Sequence, residues 1–151
     1  MSAAITMLCV DGSDVSERAV AAGLAVLQPA PPVLVATVIE PSDPTLVTGT
    51  GFAGGVISPE ELHELDRNRE AIGRKIAEHA VGRLSLDGAK IRVVNGAPGP
   101  ALCALAAELP ARVLVMGSRG RGGLKRALLG SVSDHVIRNA PCPVLVTSPD
   151  D

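Results

Sequence analysis

Residues 113–147 read VLVMGSRGRGGLKRALLGSVSDHVIRNAPCPVLVT, and the order of patterns in this stretch decides the fold. An apolar run, Val113 to Met116, is broken by Gly117-Ser118-Arg119-Gly120. A basic segment with Arg121, Lys125 and Arg126 follows. Gly130-Ser131 then opens a helical pattern over Val132 to Asn139, and Val144 to Val146 is a second apolar run, within a fifth strand over Pro143 to Thr147. Strand, glycine loop, helix and strand in this order is how parallel α/β sheets build an anion site. Glycine lets backbone N–H groups approach a phosphate with no Cβ in the way. A helix start adds unpaired N–H donors and a partial positive charge. Ser131 and Ser133 bring hydroxyls to that start, and Ser131 also suits the N-cap position. Arg119, Arg121, Lys125 and Arg126 bring positive charge, although each alone is equally suited to a solvated surface.

Upstream the same alternation repeats. Ile5 to Val10 is a buried-strand run that ends in Asp11-Gly12-Ser13-Asp14. Ser13 or Asp14 suits a helix cap, and Asp14 with Glu17 has capping-box spacing. A helix over Val15 to Leu27 turns Ala19, Val20, Leu24 and Leu27 inward, and Pro29, Pro31 and Pro32 stop it. Val33 to Ile39 is the second strand. Glu40 to Ser58 holds Gly49, Gly51, Gly54 and Gly55 and keeps no period, which predicts a long loop of the kind that serves as a lid. Pro59 suits the first turn of a helix reaching about Leu84, with Leu62, Leu65, Ile72, Ile76, Ala80 and Leu84 as its apolar side. Asp87-Gly88 turns the chain into strand three, Ala89 to Val94. Gly96-Ala97-Pro98 leads to a helix over Gly99 to Glu108 with Leu102, Leu105 and Ala106 inward, and Arg112 to Met116 is strand four. Strands alternating with helices predict an α/β fold, an open parallel five-stranded sheet with helices on both faces. With 151 residues and no internal repeat, residues 1–151 read as a single domain.

Composition narrows the function. The net charge of −2 argues against general nucleic-acid binding. One Phe with no Trp or Tyr leaves nothing for stacking single-stranded bases. No apolar stretch is long enough to span a membrane, and no signal-peptide pattern opens the chain, so a cytoplasmic location is expected. Three scattered cysteines without a CxxC fit that location and read as small buried residues. His63, His79 and His135 lack partners at ligand spacing, so they read as surface helix residues and no metal site is expected.

Gly117, Gly120, Gly130 and Ser131 match the G-x2-G-x9-G-[ST] pattern of the universal stress protein family without a change in spacing. Leu8-Cys9-Val10-Asp11-Gly12-Ser13 resembles that family's first strand and acidic turn. Val94-Asn95-Gly96-Ala97-Pro98 resembles its V-x-x-G-x-P element, and Pro143 to Val146 its closing strand. The loop is not a Walker A motif, because no G-K-[ST] follows at the required offset. The resemblance implies a Rossmann-like sheet of order 3-2-1-4-5 and adenine nucleotide binding. It assigns Asp11 to the nucleoside, the Val38 backbone to adenine, and Gly117, Arg119, Gly120, Gly130, Ser131, Val132 and Ser133 to the phosphates. It also implies a homodimer through the last strand.

Two function classes follow. The first is an ATP-binding regulatory protein of the stress response, with ATP carried alone or with Mg²⁺ and read by a signalling partner protein of unknown identity. The second is a slow ATPase or phosphotransferase, against which stands the lack of an evident general base. A nucleotide-free interaction module is the weaker alternative, opposed by the intact motif.

Overall fold

The computed structural model describes residues 4–27, 32–42, 57–119 and 129–148. Five strands, β1 (Ile5–Cys9), β2 (Val33–Ile39), β3 (Lys90–Asn95), β4 (Ala111–Gly117) and β5 (Val144–Thr147), form one parallel sheet in the order β3-β2-β1-β4-β5. This is the expected Rossmann-like order. The helices between them are α1 (Asp14–Val26), α2 (Pro59–Arg83), α3 (Pro98–Glu108) and α4 (Ser131–Asn139). Among the described residues, no helix is long and apolar enough to cross a membrane. Residues 43–56, most of the predicted lid, lie outside the described residues.

Side chains alternate along each strand, so the sheet feeds two apolar layers. Met7, Cys9, Leu34, Ala36, Leu114 and Met116 pack with Leu102, Leu105 and Ala106 of α3 and Val136 of α4. On the other face Leu8, Val10, Val35, Val113 and Val115 pack with Val20 of α1 and Ala77 and Ala80 of α2. The three thiols belong to the first layer, with Cys9 buried and Cys103 and Cys142 partly buried against it. Burial raises the pKa of all three, that of Cys9 far above the usual thiol range. Thiols held protonated are poor nucleophiles.

Three details depart from the pattern reading. Leu65 and Ile72 of α2 are exposed, whereas Ala80 is buried and Ile76 and Leu84 pack against the core as expected, and Gly73 and Ala77 complete the inner face. At Gly73 the helix lies too close to the sheet for a side chain. A Cβ on Gly73 would sit 2.8 Å from Ile39 Cγ2 and 2.9 Å from Val93 Cγ1. Asp14 and Glu17 form no capping box. Ser13 caps α1 by accepting the Ser16 N–H, while Glu17 is buried and its carboxylate lies 2.8 Å from His79 Nδ1 and 3.6 Å from Arg83 Nε of α2. The capping box stands at α2, where Ser58 Oγ accepts the Glu61 N–H and Glu61 accepts the Ser58 N–H. Gly117 belongs to β4, paired with Thr147, one residue beyond the expected strand end.

A candidate anion site where the strand order reverses

Among the described residues each helix follows a strand, so these four begin at the C-terminal edge of the sheet. Their starts differ in what they offer an anion. Ser13 occupies a donor of α1, and Asp14 and Glu17 place carboxylates in its first turn. The capping box closes α2, with Glu60 and Glu61 in its first turn. Pro98 and Pro100 deprive α3 of two N–H groups in its opening turn. At α4 the cap is Gly130 and no side chain caps the helix. The N–H groups of Ser131, Val132 and Ser133 are left without a partner among the described residues. This corrects the expectation for Ser131, which is the first residue of the helix, exposed, and not its cap.

The glycine loop is drawn shut at its base. Gly130 N–H donates to the Ser118 carbonyl at 2.8 Å, and the Ser133 hydroxyl donates to the same carbonyl at 3.0 Å. Ser133 Oγ also lies 3.0 Å from the Gly130 carbonyl, and the residue is buried. Its hydroxyl proton is therefore committed to main-chain oxygens, and only its backbone N–H remains for a ligand. Ser118 N–H donates to Thr147 O at 2.8 Å, which continues the β4–β5 ladder into the loop. Glycine is required at both ends by close approach. A Cβ on Gly117 would lie 3.0 Å from Arg119 O and 3.1 Å from Ala19 Cβ of α1, and one on Gly130 would lie 3.1 Å from Ser118 O. Arg119 is half-buried beside this base. Gly120, Arg121, Lys125 and Arg126 lie outside the described residues. Asp134, the first carboxylate of α4, is held by Arg138 Nε at 3.0 and 3.1 Å.

Asp11 follows β1 and faces the same switch. Its Oδ1 accepts the Ser13 N–H at 2.9 Å and the Ser13 hydroxyl at 2.6 Å. The turn depends on Gly12, whose φ is +85°. Val38 lies near the end of β2. The Ala36 carbonyl accepts from Val10 N–H toward β1, and the Ile39 carbonyl accepts from Gly96 N–H toward β3. Alternate residues of β2 thus address opposite neighbours, so the main-chain N–H and C=O of Val38 are directed to the β1 side, beyond the last paired residue of β1. A cavity of about 310 Å³ opens farther along the same edge, lined by Pro41, His63, Asp66, Arg67, Glu70 and Asn95. Its walls carry both signs of charge and do not include α4.

An open parallel sheet whose winding reverses between β1 and β4, with an uncapped helix start and an acidic turn at that reversal, defines the class of α/β proteins that take ligands at a topological switch point. The profile of the universal stress protein family matches residues 5–148, and the chain belongs to that family. It is 32% identical over 145 residues to universal stress protein YxiE of Bacillus subtilis, covering 93% of this chain and 95% of that one. A universal stress protein solved in complex with cAMP is similar in structure, with a TM-score of 0.63, 28% identity and coverage of 99% of this chain and 100% of that one. A family member from Arabidopsis thaliana solved with AMP bound shares the fold at 20% identity, with a TM-score of 0.63 and coverage of 97% and 92% of the two chains.

Proposed function

We propose that this protein binds an adenine nucleotide, ATP in its working state, at the start of α4 and acts as a cytoplasmic regulatory protein of the stress response. The observation that carries this reading is the contrast among the four described helix starts, since of these only α4 combines a glycine cap, no capping side chain and three consecutive N–H groups without partners among the described residues. Such a start favours an oxyanion both by hydrogen bonding and by the helix dipole. Gly117, Gly130, Ser131, Val132, Ser133 and Arg119 would hold phosphates, together with Gly120 of the same loop. Asp11 would hold the nucleoside and the Val38 backbone the base. The cAMP and AMP held by the related structures support a base-and-phosphate ligand. Among the described residues no cluster of three His, Cys, Asp or Glu side chains is suited to a metal ion. Mg²⁺ would therefore arrive on the triphosphate, which is its usual mode.

Ser131→Asp tests the placement, because it separates binding from folding by sign. A carboxylate at this position favours the helix dipole by about 0.3–1 kcal/mol but repels a phosphate at the same place. The expected outcome is an unchanged or raised melting temperature with ATP affinity lower by about tenfold or more, a loss of roughly 1.4 kcal/mol. Equal affinity in calorimetric titrations of both proteins removes the site from α4. The enzyme alternative is judged by phosphate release under excess ATP and Mg²⁺. The groups described here stabilise a bound triphosphate, and the nearest α4 carboxylate is engaged by Arg138. Turnover is expected well below about 1 s⁻¹, the low end of ordinary enzymes, and faster release would place the ATPase reading first.

A further inference from the structure

α4 is short, and it packs more extensively against α3 than against the sheet. Its placement is therefore set along the α3–α4 seam. The lower seam is apolar, with Leu102, Leu105 and Val136 in one layer. Its ligand end is different. There Gly99, buried in the first turn of α3, faces His135 of α4. A Cβ at position 99 would lie 2.8 Å from His135 Cδ2, 2.8 Å from Cγ and 2.9 Å from Cβ. Rotation of the imidazole could clear the two ring atoms. It could not clear Cβ, whose position is fixed by the α4 backbone. His135 is thus half-buried against α3 rather than a surface histidine.

We propose that Gly99 and His135 are positioning residues for the phosphate cradle. Their interlock fixes α4 so that the N–H groups of Ser131, Val132 and Ser133 face the switch between β1 and β4. The inference rests on the reading of α4 as the phosphate-binding helix. The start of α4 is held at two points. The Ser118 carbonyl tethers it through Gly130 N–H and the Ser133 hydroxyl, and the Gly99–His135 contact sets how closely it approaches α3. Ser131 lies one helical turn from His135 on the same short element, so a displacement at the seam is carried directly to the cradle. Hydrogen bonds to a phosphate depend steeply on distance and angle, and a small shift of all three donors weakens them together. The interlock also joins the cradle to the turn Gly96–Pro98, so a contact made at that turn would alter the cradle through His135.

The test is a mutant cycle read by two measurements: calorimetric titration with Mg²⁺-ATP, and the amide NMR shifts of Ser131 to Ser133 in ligand-free protein. Gly99→Ala is expected to move those amides and weaken ATP binding about tenfold, as misplaced binding groups do. Adding His135→Ala removes two of the three close contacts and should recover part of the loss. Adding His135→Gly removes all three and should bring affinity to within about threefold of His135→Gly alone, a coupling expected only for residues in contact. Where Gly99→Ala does not fold, His135→Ala alone withdraws the ring without creating a clash. It should still shift the amides and weaken binding about threefold or more. Binding within about twofold of wild type in both single variants overturns the proposal, as does a double-variant loss as large as that of Gly99→Ala. A wild type that binds no ATP would instead remove the proposed function. The amide shifts would then still report whether the interlock places α4.

Discussion

At the scale of single residues, the thiol of Cys9 gives a test that concerns protons alone. Burial holds it protonated in the folded protein, whereas in the unfolded chain it ionises near its ordinary value of 9.0. The raised folded value contributes stability that is fully present below the unfolded pKa and is lost as pH rises above it. Unfolding free energy measured in urea should therefore fall by about 1.4 kcal/mol per pH unit above that point on account of Cys9. Cys9→Ala should flatten the alkaline limb while lowering the whole curve. A limb of equal slope in both proteins contradicts the burial argument. Single residues also show what pattern reading conceals. Gly117 and Gly130 are visible in the sequence as glycines at family spacing. The atoms that demand them, Ala19 Cβ and Ser118 O, come from another helix and from the far side of the loop. Ser133 was legible as a hydroxyl near a helix start, but its commitment to main-chain carbonyls was not. Neither was the partner of His135.

Among elements, α1 and α2 are joined by a network in which the carboxylate is buried and its partners are not. The Glu17 side chain is 5% exposed, against 62% for His79 and 52% for Arg83. Asp14 extends the network at the surface, pairing with Arg18 at 3.1 Å and Arg83 at 3.2 Å. The asymmetry decides which side of the pair is costly to lose. Removing His79 and Arg83 together leaves a carboxylate in the interior without charge partners, which should cost about 1–3 kcal/mol. Glu17→Leu leaves two polar side chains that water can still reach, so its cost should be smaller, within about 1 kcal/mol. Chemical denaturation of the two variants checks the order, and a larger loss for Glu17→Leu reverses the account. Helix periodicity located α2 to within a residue at each end and placed Ile76, Ala80 and Leu84 inward, but counted the exposed Leu65 and Ile72 with them and missed Gly73 and Ala77. Hydrophobic pattern favours large residues, whereas the close approach of α2 to β2 and β3 at Gly73 admits only a small one. Strand ends were displaced by a residue because a ladder is completed by partners distant in sequence.

For the whole molecule, the two sheet edges are unequal. β3 carries Lys90 and Arg92, the latter paired with Glu108 at 3.3 Å, and charges of this kind discourage edge pairing. β5 presents Val144, Leu145, Val146 and Thr147, all half-buried and none charged. We therefore propose a homodimer formed through β5. Light scattering at micromolar concentration should give twice the chain mass of 15.4 kDa, and Val144→Lys should return the monomer. A monomeric wild type ends that proposal, and a variant that remains dimeric moves the interface elsewhere. Five strands, their parallel direction and helices on both faces were legible from alternating patterns. The order of the strands was not, because pattern describes each segment without naming its neighbour, and it came only with the family resemblance. The charge on β3 and its absence on β5 were in the sequence throughout, but they acquired meaning once both proved to be edges.

Of the five strands of the sheet, β1 is made before the others and stands at the centre. One of its partners, β2, follows closely, with Met7 opposite Leu34. The other is β4, where Met7 meets Leu114. On a ribosome adding roughly 5–20 residues per second, the second partner emerges about 5–20 seconds after the first residues of β1. For that interval the chain carries an apolar strand with one side unpaired. The nascent protein is therefore most exposed to wrong pairing during its own synthesis, and that hazard passes when β4 is complete.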